Sequence, residues 1–95
     1  MVWINPFDEM RRMQQEIDRQ CRNFDLLLKD IQEGHLKPGI QRKEFIRIYG
    51  EPILEEEMDG RTELLYRYPL EFFASQKVYV YFDKNGYLLE WRVEI

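Results

Sequence analysis

A short segment whose sequence encodes both ends of a helix, residues 36–52, constrains the fold most. Gln41 stands at the N-cap position, and Glu44 three residues later is the return partner of a capping box. Gly50 is expected to adopt a left-handed conformation after the last turn, and Pro52 prevents the helix from continuing. A helix this short is not stable alone in water. We therefore expect it to dock on a sheet formed by the residues that follow.

A longer amphipathic helix is predicted over residues 6–33. Asn5 is a preferred N-cap residue, Pro6 fits the first helical position, and Gly34 ends the periodic pattern. Apolar residues recur every three or four positions, as expected for one face of a helix. These residues are Met10, Met13, Ile17, Cys21, Phe24, Leu27, Leu28 and Ile31.

The length of this helix predicts that its first turns project beyond the rest of the fold. It would be roughly 42 Å long, whereas a strand of eight or nine residues spans about 30 Å. Such an overhang would expose Phe7, Met10 and Met13 unless a partner or a second copy of the chain covers them. The alternative is a kinked helix that folds wholly onto its own sheet, although no Pro or Gly interrupts the pattern.

Two short turn signals predict that the rest of the chain forms an antiparallel meander. Asp59-Gly60 and Asn85-Gly86 each separate runs of alternating apolar and polar residues, which is the pattern of β-hairpins. The predicted strands are residues 53–58, 61–68, 77–83 and 87–95. Helices that precede such a sheet must cover one of its faces. We therefore predict one α+β domain over residues 1–95, a two-layer sandwich with two N-terminal helices packed on a three- to four-stranded antiparallel meander.

The alternation along each strand assigns the side chains to two faces of the sheet. The helix-covered face is predicted to hold Leu64, Tyr66, Val78, Val80, Phe82, Tyr87, Leu89, Trp91, Val93 and Ile95. The opposite face carries the candidate partner-binding residues Leu65, Tyr79, Tyr81 and Leu88, flanked by Arg67, Glu90 and Arg92. Tyrosines and leucines beside arginines have the composition of a protein interface, and ordinary cross-strand pairing is the alternative interpretation. Phe72 and Phe73, in the connection before the third strand, are a second candidate.

The charge of the chain argues against nucleic acid as a partner. The net charge is −4 and the pI is about 5.0, so no basic stripe is available to displace counterions from phosphates.

The longest apolar runs are far shorter than the roughly 18 residues that a membrane-spanning helix needs. Cys21 is the only cysteine, so no internal disulfide can form and a reducing compartment is permitted. The N-terminus lacks the features of a signal peptide, so the chain as written is predicted to be cytoplasmic.

No residue pattern nominates a catalytic, cofactor or metal site, and we expect a protein that is not an enzyme. His35 is the only histidine, and we interpret it as an exposed loop residue because no sequence neighbour is an obvious partner for acid–base catalysis. Cys21 lies beside the apolar stripe and is interpreted as a buried, inert thiol. Glutamates at residues 55–57 and Asp59 form an acidic cluster without the spacing of a calcium loop. A charged, solvated strand edge is the better interpretation of this cluster.

The order and spacing of residues 36–95 resemble the SmpA/OmlA, or BamE-like, family. The residues that carry the resemblance are Leu36, Gly39, Ile40, Glu44, Phe45, Tyr49, Gly50, Pro52, Asp59, Gly60, Tyr68, Val78, Val80, Phe82, Asp83 and Gly86. The resemblance implies an α-α-β-β-β fold and a non-enzymatic role. The family includes small outer-membrane lipoproteins that support assembly of β-barrel proteins, and similar folds serve as protein-binding or inhibitor domains. The resemblance also implies residence in the envelope if the chain is a trimmed mature form. The chain departs from the family pattern in having no lipobox, in Gln41 replacing the usual Ser or Thr cap, and in its long charged first helix.

These observations favour a non-catalytic protein-interaction module of BamE-like type. The expected contact residues are Leu65, Tyr79, Tyr81 and Leu88 on the sheet, with Phe7, Met10 and Met13 on the first helix. The alternative is a cytosolic accessory or chaperone-like protein that uses the first helix to bind a partner or to form a homodimer. A third hypothesis, an enzyme or small-ligand binder, requires a deep pocket lined by the acidic cluster, by His35 or by aromatic residues.

Overall fold

Two helices precede a four-stranded antiparallel sheet in the computed structural model, which describes residues 6–70 and 76–94. The helices are α1 (Pro6–Gln32) and α2 (Arg42–Tyr49), and the strands are β1 (Leu54–Met58), β2 (Arg61–Arg67), β3 (Lys77–Phe82) and β4 (Leu88–Glu94). The strands lie in the order β1-β2-β3-β4, so every neighbour in the sheet is also a neighbour in the chain. The predicted α+β architecture is confirmed, with four strands.

The alternation predicted for β2 and β3 is confirmed. Leu64 lies opposite Val80 and is fully buried with it, whereas the next pair along the strands, Leu65 and Tyr79, is only half-buried. The buried side chains of these two strands are Leu64, Tyr66, Val78, Val80 and Phe82. One face of the sheet therefore forms the core beneath the helices, and the other face is open to solvent.

A β-bulge overturns the predicted alternation at the start of β4. Phe82 lies opposite Leu88 and Tyr81 lies opposite Glu90, which leaves Leu89 as an extra residue on β4. Because a bulge shifts the alternation by one position, Leu88 turns toward the helices and is 2% exposed, while Leu89 is 42% exposed. The prediction that Leu88 faces away from the helices was wrong. Trp91, opposite Val80, returns to the helix-covered face as predicted.

Two further residues of the apolar series predicted for the last strand are more exposed than expected. Tyr87 and Val93 are 42% and 38% exposed, because the helical layer does not cover the margin of the sheet along β4. Tyr87 instead forms an isolated bridge to Gln41, just before α2. Ile95, Phe72 and Phe73 lie outside the described residues.

Phe45 is the centre of the contact between α2 and the sheet. Its fully buried ring lies 4.7 Å from the ring of Tyr49, 5.6 Å from that of Tyr66 and 5.5 Å from that of Phe82, measured between centroids. Ile48 of α2 packs against the same core, so the expectation that this short helix docks on the sheet is confirmed. Each aromatic pair adds about 0.5–1.5 kcal/mol beyond the buried area. This packing supplies the stability that eight helical residues lack alone.

The predicted capping box at the start of α2 is not formed. The Gln41 side chain makes no capping hydrogen bond, and the Glu44 carboxylate accepts from Arg47 instead, with Arg47 Nε 2.9 Å from Glu44 Oε2. The first helical N–H, that of Arg42, donates to the carbonyl of Gly86 at 2.8 Å. The turn between β3 and β4 therefore satisfies the helix end that the side chains were expected to satisfy.

α1 has a buried C-terminal half and an exposed N-terminal half. Phe24, Leu27 and Leu28 belong to the core, and the Phe24 ring meets that of Tyr68 edge-on with centroids 4.6 Å apart. Every residue from 7 to 16 is exposed. A helix of 27 residues is about 40 Å long, and the buried residues of α1 all lie in its C-terminal half. The predicted overhang is confirmed.

Gly50 is expected to be the glycine least tolerant of substitution. Its φ of 81° and ψ of 179° lie in a region that glycine alone adopts readily, and an added Cβ would lie 2.6 Å from Asn23 Nδ2. We expect Gly50→Ala to lower the free energy of unfolding by about 3 kcal/mol. Gly34→Ala, at a positive φ but with open space around the Cβ, is expected to cost about 1–2 kcal/mol. Urea denaturation of both variants checks this order, and equal losses would contradict it.

Candidate functional site

The outer face of the sheet, on the side away from the helices, is built from tyrosines covered by arginines. The Cζ atom of Arg92 lies 4.7 Å from the centroid of the Tyr79 ring, and that of Arg61 lies 5.0 Å from the Tyr81 ring. Leu65 lies beside Tyr79 on the adjacent strand. Cation–π contacts at exposed sites contribute about 0.5–1 kcal/mol each. The outer face thus combines aromatic rings and guanidinium groups with two leucines, Leu65 and the exposed Leu54 opposite it on β1.

Paired charges surround the tyrosines of the outer face. Arg61 Nη2 lies 2.8 Å from Glu90 Oε1, which ties β2 to β4 across β3. Partial burial raises the pKa of Tyr81, and the neighbouring Glu63 carboxylate raises it further, against a smaller opposite effect of Arg92 and Arg61. The hydroxyl of Tyr81 is thus held by the Glu63 carboxylate, to which it donates a hydrogen bond. Such a surface suits recognition of protein side chains and main chain.

The projecting part of α1 carries a second candidate surface. Phe7, Met10 and Met13 are 72%, 64% and 64% exposed, and their spacing places them on one stripe of the helix that continues into half-buried Ile17. Hydrogen bonds within the helix support this segment, including Gln14 Nε2 to Asp18 Oδ1 at 3.0 Å. An apolar stripe on a helix is the form in which helices enter hydrophobic grooves of partner proteins.

The groove between α1 and α2 has a volume of about 400 Å³, and its tyrosine hydroxyls already have partners. Tyr49 donates to Asp30 Oδ2 at 2.7 Å, and Tyr66 donates to the carbonyl of Gly50 at 2.8 Å. Burial raises the pKa of both phenols, and for Tyr49 the Asp30 carboxylate adds to the effect. These groups hold the two helices and the sheet together, which is a structural role.

The remaining sequence candidates lie apart from these surfaces. The exposed imidazole of His35 has Nδ1 3.5 Å from Asp30 Oδ1 and 3.5 Å from Glu33 Oε2. The Cys21 side chain is half-buried, which is less than predicted. All of β1 is exposed, and its Glu55 pairs with Arg42 of α2. Within residues 6–70 and 76–94, no group of three or more metal-binding side chains is close enough to hold an ion.

Of the seven residues predicted to bind a partner, three lie on the outer face and three on the projecting helix. Leu65, Tyr79 and Tyr81 form the first group, Phe7, Met10 and Met13 form the second, and Leu88 belongs to the core. The stacking of Arg61 and Arg92 on the tyrosines was missed. This stacking can be inferred only once the strand register is known, because the register places Arg92 opposite Tyr79.

Comparisons of this chain with protein-family models, with curated proteins and with solved structures find no significant match. None of the described helices combines the length and the apolar content that crossing a membrane requires.

The raised pKa values of Tyr49 and Tyr66 predict a loss of stability at alkaline pH. Phenols of the unfolded chain ionise near pH 10, whereas these two stay protonated in the folded chain, so the free energy of unfolding falls as the pH rises above about 10. Each tyrosine contributes up to about 1.4 kcal/mol per pH unit to this fall. We expect the Tyr49→Phe/Tyr66→Phe variant to lose stability less steeply than the wild type in urea titrations at pH 9, 10 and 11. Equal slopes would contradict the prediction.

Proposed function

We propose that this protein is a non-catalytic protein-interaction module whose projecting helix is the main partner-binding element. The supporting observation is the exposure of Met10 and Met13, at 64% each, on a helical stripe that continues the core pattern of α1. Burying two methionine side chains in a partner's groove contributes about 1.5–3 kcal/mol per side chain before the costs of association. The charged residues on the other sides of α1 would form the rim of such a contact.

The outer face of the sheet is the second contact surface in this proposal. Tyr79 and Tyr81 present ring edges and hydroxyl groups, and the stacked Arg92 and Arg61 present guanidinium donors beside them. Tyrosine and arginine are the residues that contribute most often to the energy of protein interfaces. The two surfaces would allow one chain to contact two partners, or two parts of one partner.

The specific form of the role rests on the resemblance of residues 36–95 to the BamE-like family. That resemblance favours a partner among the components that assemble β-barrel proteins. The resemblance rests on the residue pattern, and this chain has four strands where the family's order has three. A chaperone-like partner in another compartment would use the same helix.

A matched pair of variants tests whether the projecting helix binds a partner. Met13→Glu places a charge on the apolar stripe, whereas Gln15→Glu places the same charge on the opposite side of α1. Both positions are exposed, so we expect neither change to alter the free energy of unfolding by more than about 0.5 kcal/mol. We expect proteins captured from host extracts to depend on Met13 and not on Gln15. Quantitative mass spectrometry of the captured proteins, scored for β-barrel assembly components, gives the readout.

Tyr79→Ser in the same experiment tests the outer face independently. Loss of the same captured protein in both Met13→Glu and Tyr79→Ser would show that one partner spans both surfaces. Capture that is identical for the wild type, Met13→Glu and Tyr79→Ser would contradict the proposed function. Circular dichroism of each variant establishes that the fold is retained.

A further inference from the structure

The outer edge of β4 is covered at its beginning and open beyond it. The carbonyl of Leu88 accepts from the N–H of Gly39 at 2.8 Å, and the N–H of Leu88 donates to the carbonyl of Ile40 at 2.8 Å. From residue 89 to residue 94, no main-chain group in the described part of the chain pairs with this edge. An open strand edge is a template for pairing with another strand.

The open part of β4 has a sequence that is complementary to itself in the antiparallel direction. It reads Leu89-Glu90-Trp91-Arg92-Val93. If Trp91 lies opposite Trp91 of a second copy, Glu90 lies opposite Arg92 of that copy, and Leu89 lies opposite Val93. Residues directly opposite in an antiparallel pair have Cβ atoms about 4.5–5.5 Å apart, so the opposite charges would be in contact. The twofold symmetry forms the Glu90–Arg92 and Leu89–Val93 pairs twice each, and the Trp91 pair once on the axis.

We propose that β4 pairs with β4 of a second copy of this chain, about a twofold axis at Trp91. The segment at residues 39–41 limits the pairing to the strand beyond Leu88, and the self-complementary five residues lie within that limit. This proposal is independent of the partner-binding role of α1.

The side chains of β4 are available for this pairing. Glu90 and Arg92 both lie on the outer face, where their present ion pairs are exposed: Glu90 with Arg61 at 2.8 Å and Arg92 with Glu94 at 3.7 Å. Exposed ion pairs contribute little to stability, so an exchange of partners costs little. Leu89 and Val93 are 42% and 38% exposed, and a second β4 would cover part of this apolar surface.

The other edge of the sheet has the opposite character. β1 presents three consecutive glutamates, and pairing it with β1 of a second copy about a twofold axis at Glu56 would place Glu56 opposite Glu56 and Glu55 opposite Glu57. Like charges directly opposite each other are unfavourable in a sheet. Pairing of β1 with β4 of another copy would leave an open edge at each end and continue into a fibre, whereas β4 with β4 closes as a dimer.

The proposed dimer would have one continuous eight-stranded sheet. A twofold axis perpendicular to the sheet places both pairs of helices on the same side. The two outer faces then join across the new strand pair, with Tyr79 and Arg92 of both copies beside the axis. The surface available to a partner protein is thereby doubled.

Charge reversal tests the register of this dimer in the full-length chain. We expect the wild type to sediment as a dimer in equilibrium with monomer at concentrations up to about 1 mM. Glu90→Arg and Arg92→Glu each turn two attractive cross-strand pairs into two repulsive ones, so each variant should raise the dissociation constant at least about tenfold. The two variants mixed in equal amounts should form a heterodimer, because every opposing pair is then attractive. The double variant Glu90→Arg/Arg92→Glu should dimerise like the wild type.

A variant of the apolar stripe on α1 distinguishes this dimer from a dimer that forms through α1. Met13→Glu/Ile17→Glu should leave the sedimentation of the wild type unchanged. A monomeric wild type, a dimer lost in Met13→Glu/Ile17→Glu, or a mixture of the two charge variants that fails to associate would each overturn the proposal. Circular dichroism shows whether each variant is folded. Partner capture by Met13→Glu is a separate measurement, so a negative result for the dimer does not affect the proposed role of α1.

Discussion

The burial of Phe45 between α2 and the sheet is the contact on which the rest of the structure depends. α2 has eight residues and is too short to persist without it, while the sheet needs a cover over Phe82 and Tyr66. Hydrogen bonds fasten both ends of α2 to the sheet: Arg42 N–H to the carbonyl of Gly86, and the Tyr66 hydroxyl to the carbonyl of Gly50. The short helix and the sheet therefore stabilise each other.

With the core closed in this way, α1 serves two purposes along one continuous apolar stripe. Its last turns complete the core through Phe24, Leu27 and Leu28, and its first turns leave Met10 and Met13 in solvent. The periodicity is the same in both halves, and the difference is that only the C-terminal half packs against the core. The geometry of the domain thus leaves half of an ordinary core helix exposed, and that half is the partner-binding surface of our proposal.

The sheet likewise presents edges of different chemistry. β1 carries three glutamates in a row and repels a copy of itself, while β4 alternates Glu90 and Arg92 about Trp91 and matches a copy of itself. Charged residues on an edge are a common defence against association. In this chain β1 carries like charges that repel a second β1, whereas β4 carries charges that match those of a second β4. The proposed assembly therefore stops at two copies.

The sequence by itself determined the elements, because their signals are local. The Asp59-Gly60 and Asn85-Gly86 turns, the helical periodicity of residues 6–33 and the alternation of β2 and β3 each act through neighbours in the chain, and all appear in the structure. Tertiary structure decided the bulge that buries Leu88, the capping of α2 by Gly86, and the stacking of Arg92 on Tyr79. Each of these features depends on how residues pair across the sheet. Strand register follows from packing between the strands, and no single segment of the sequence contains that information.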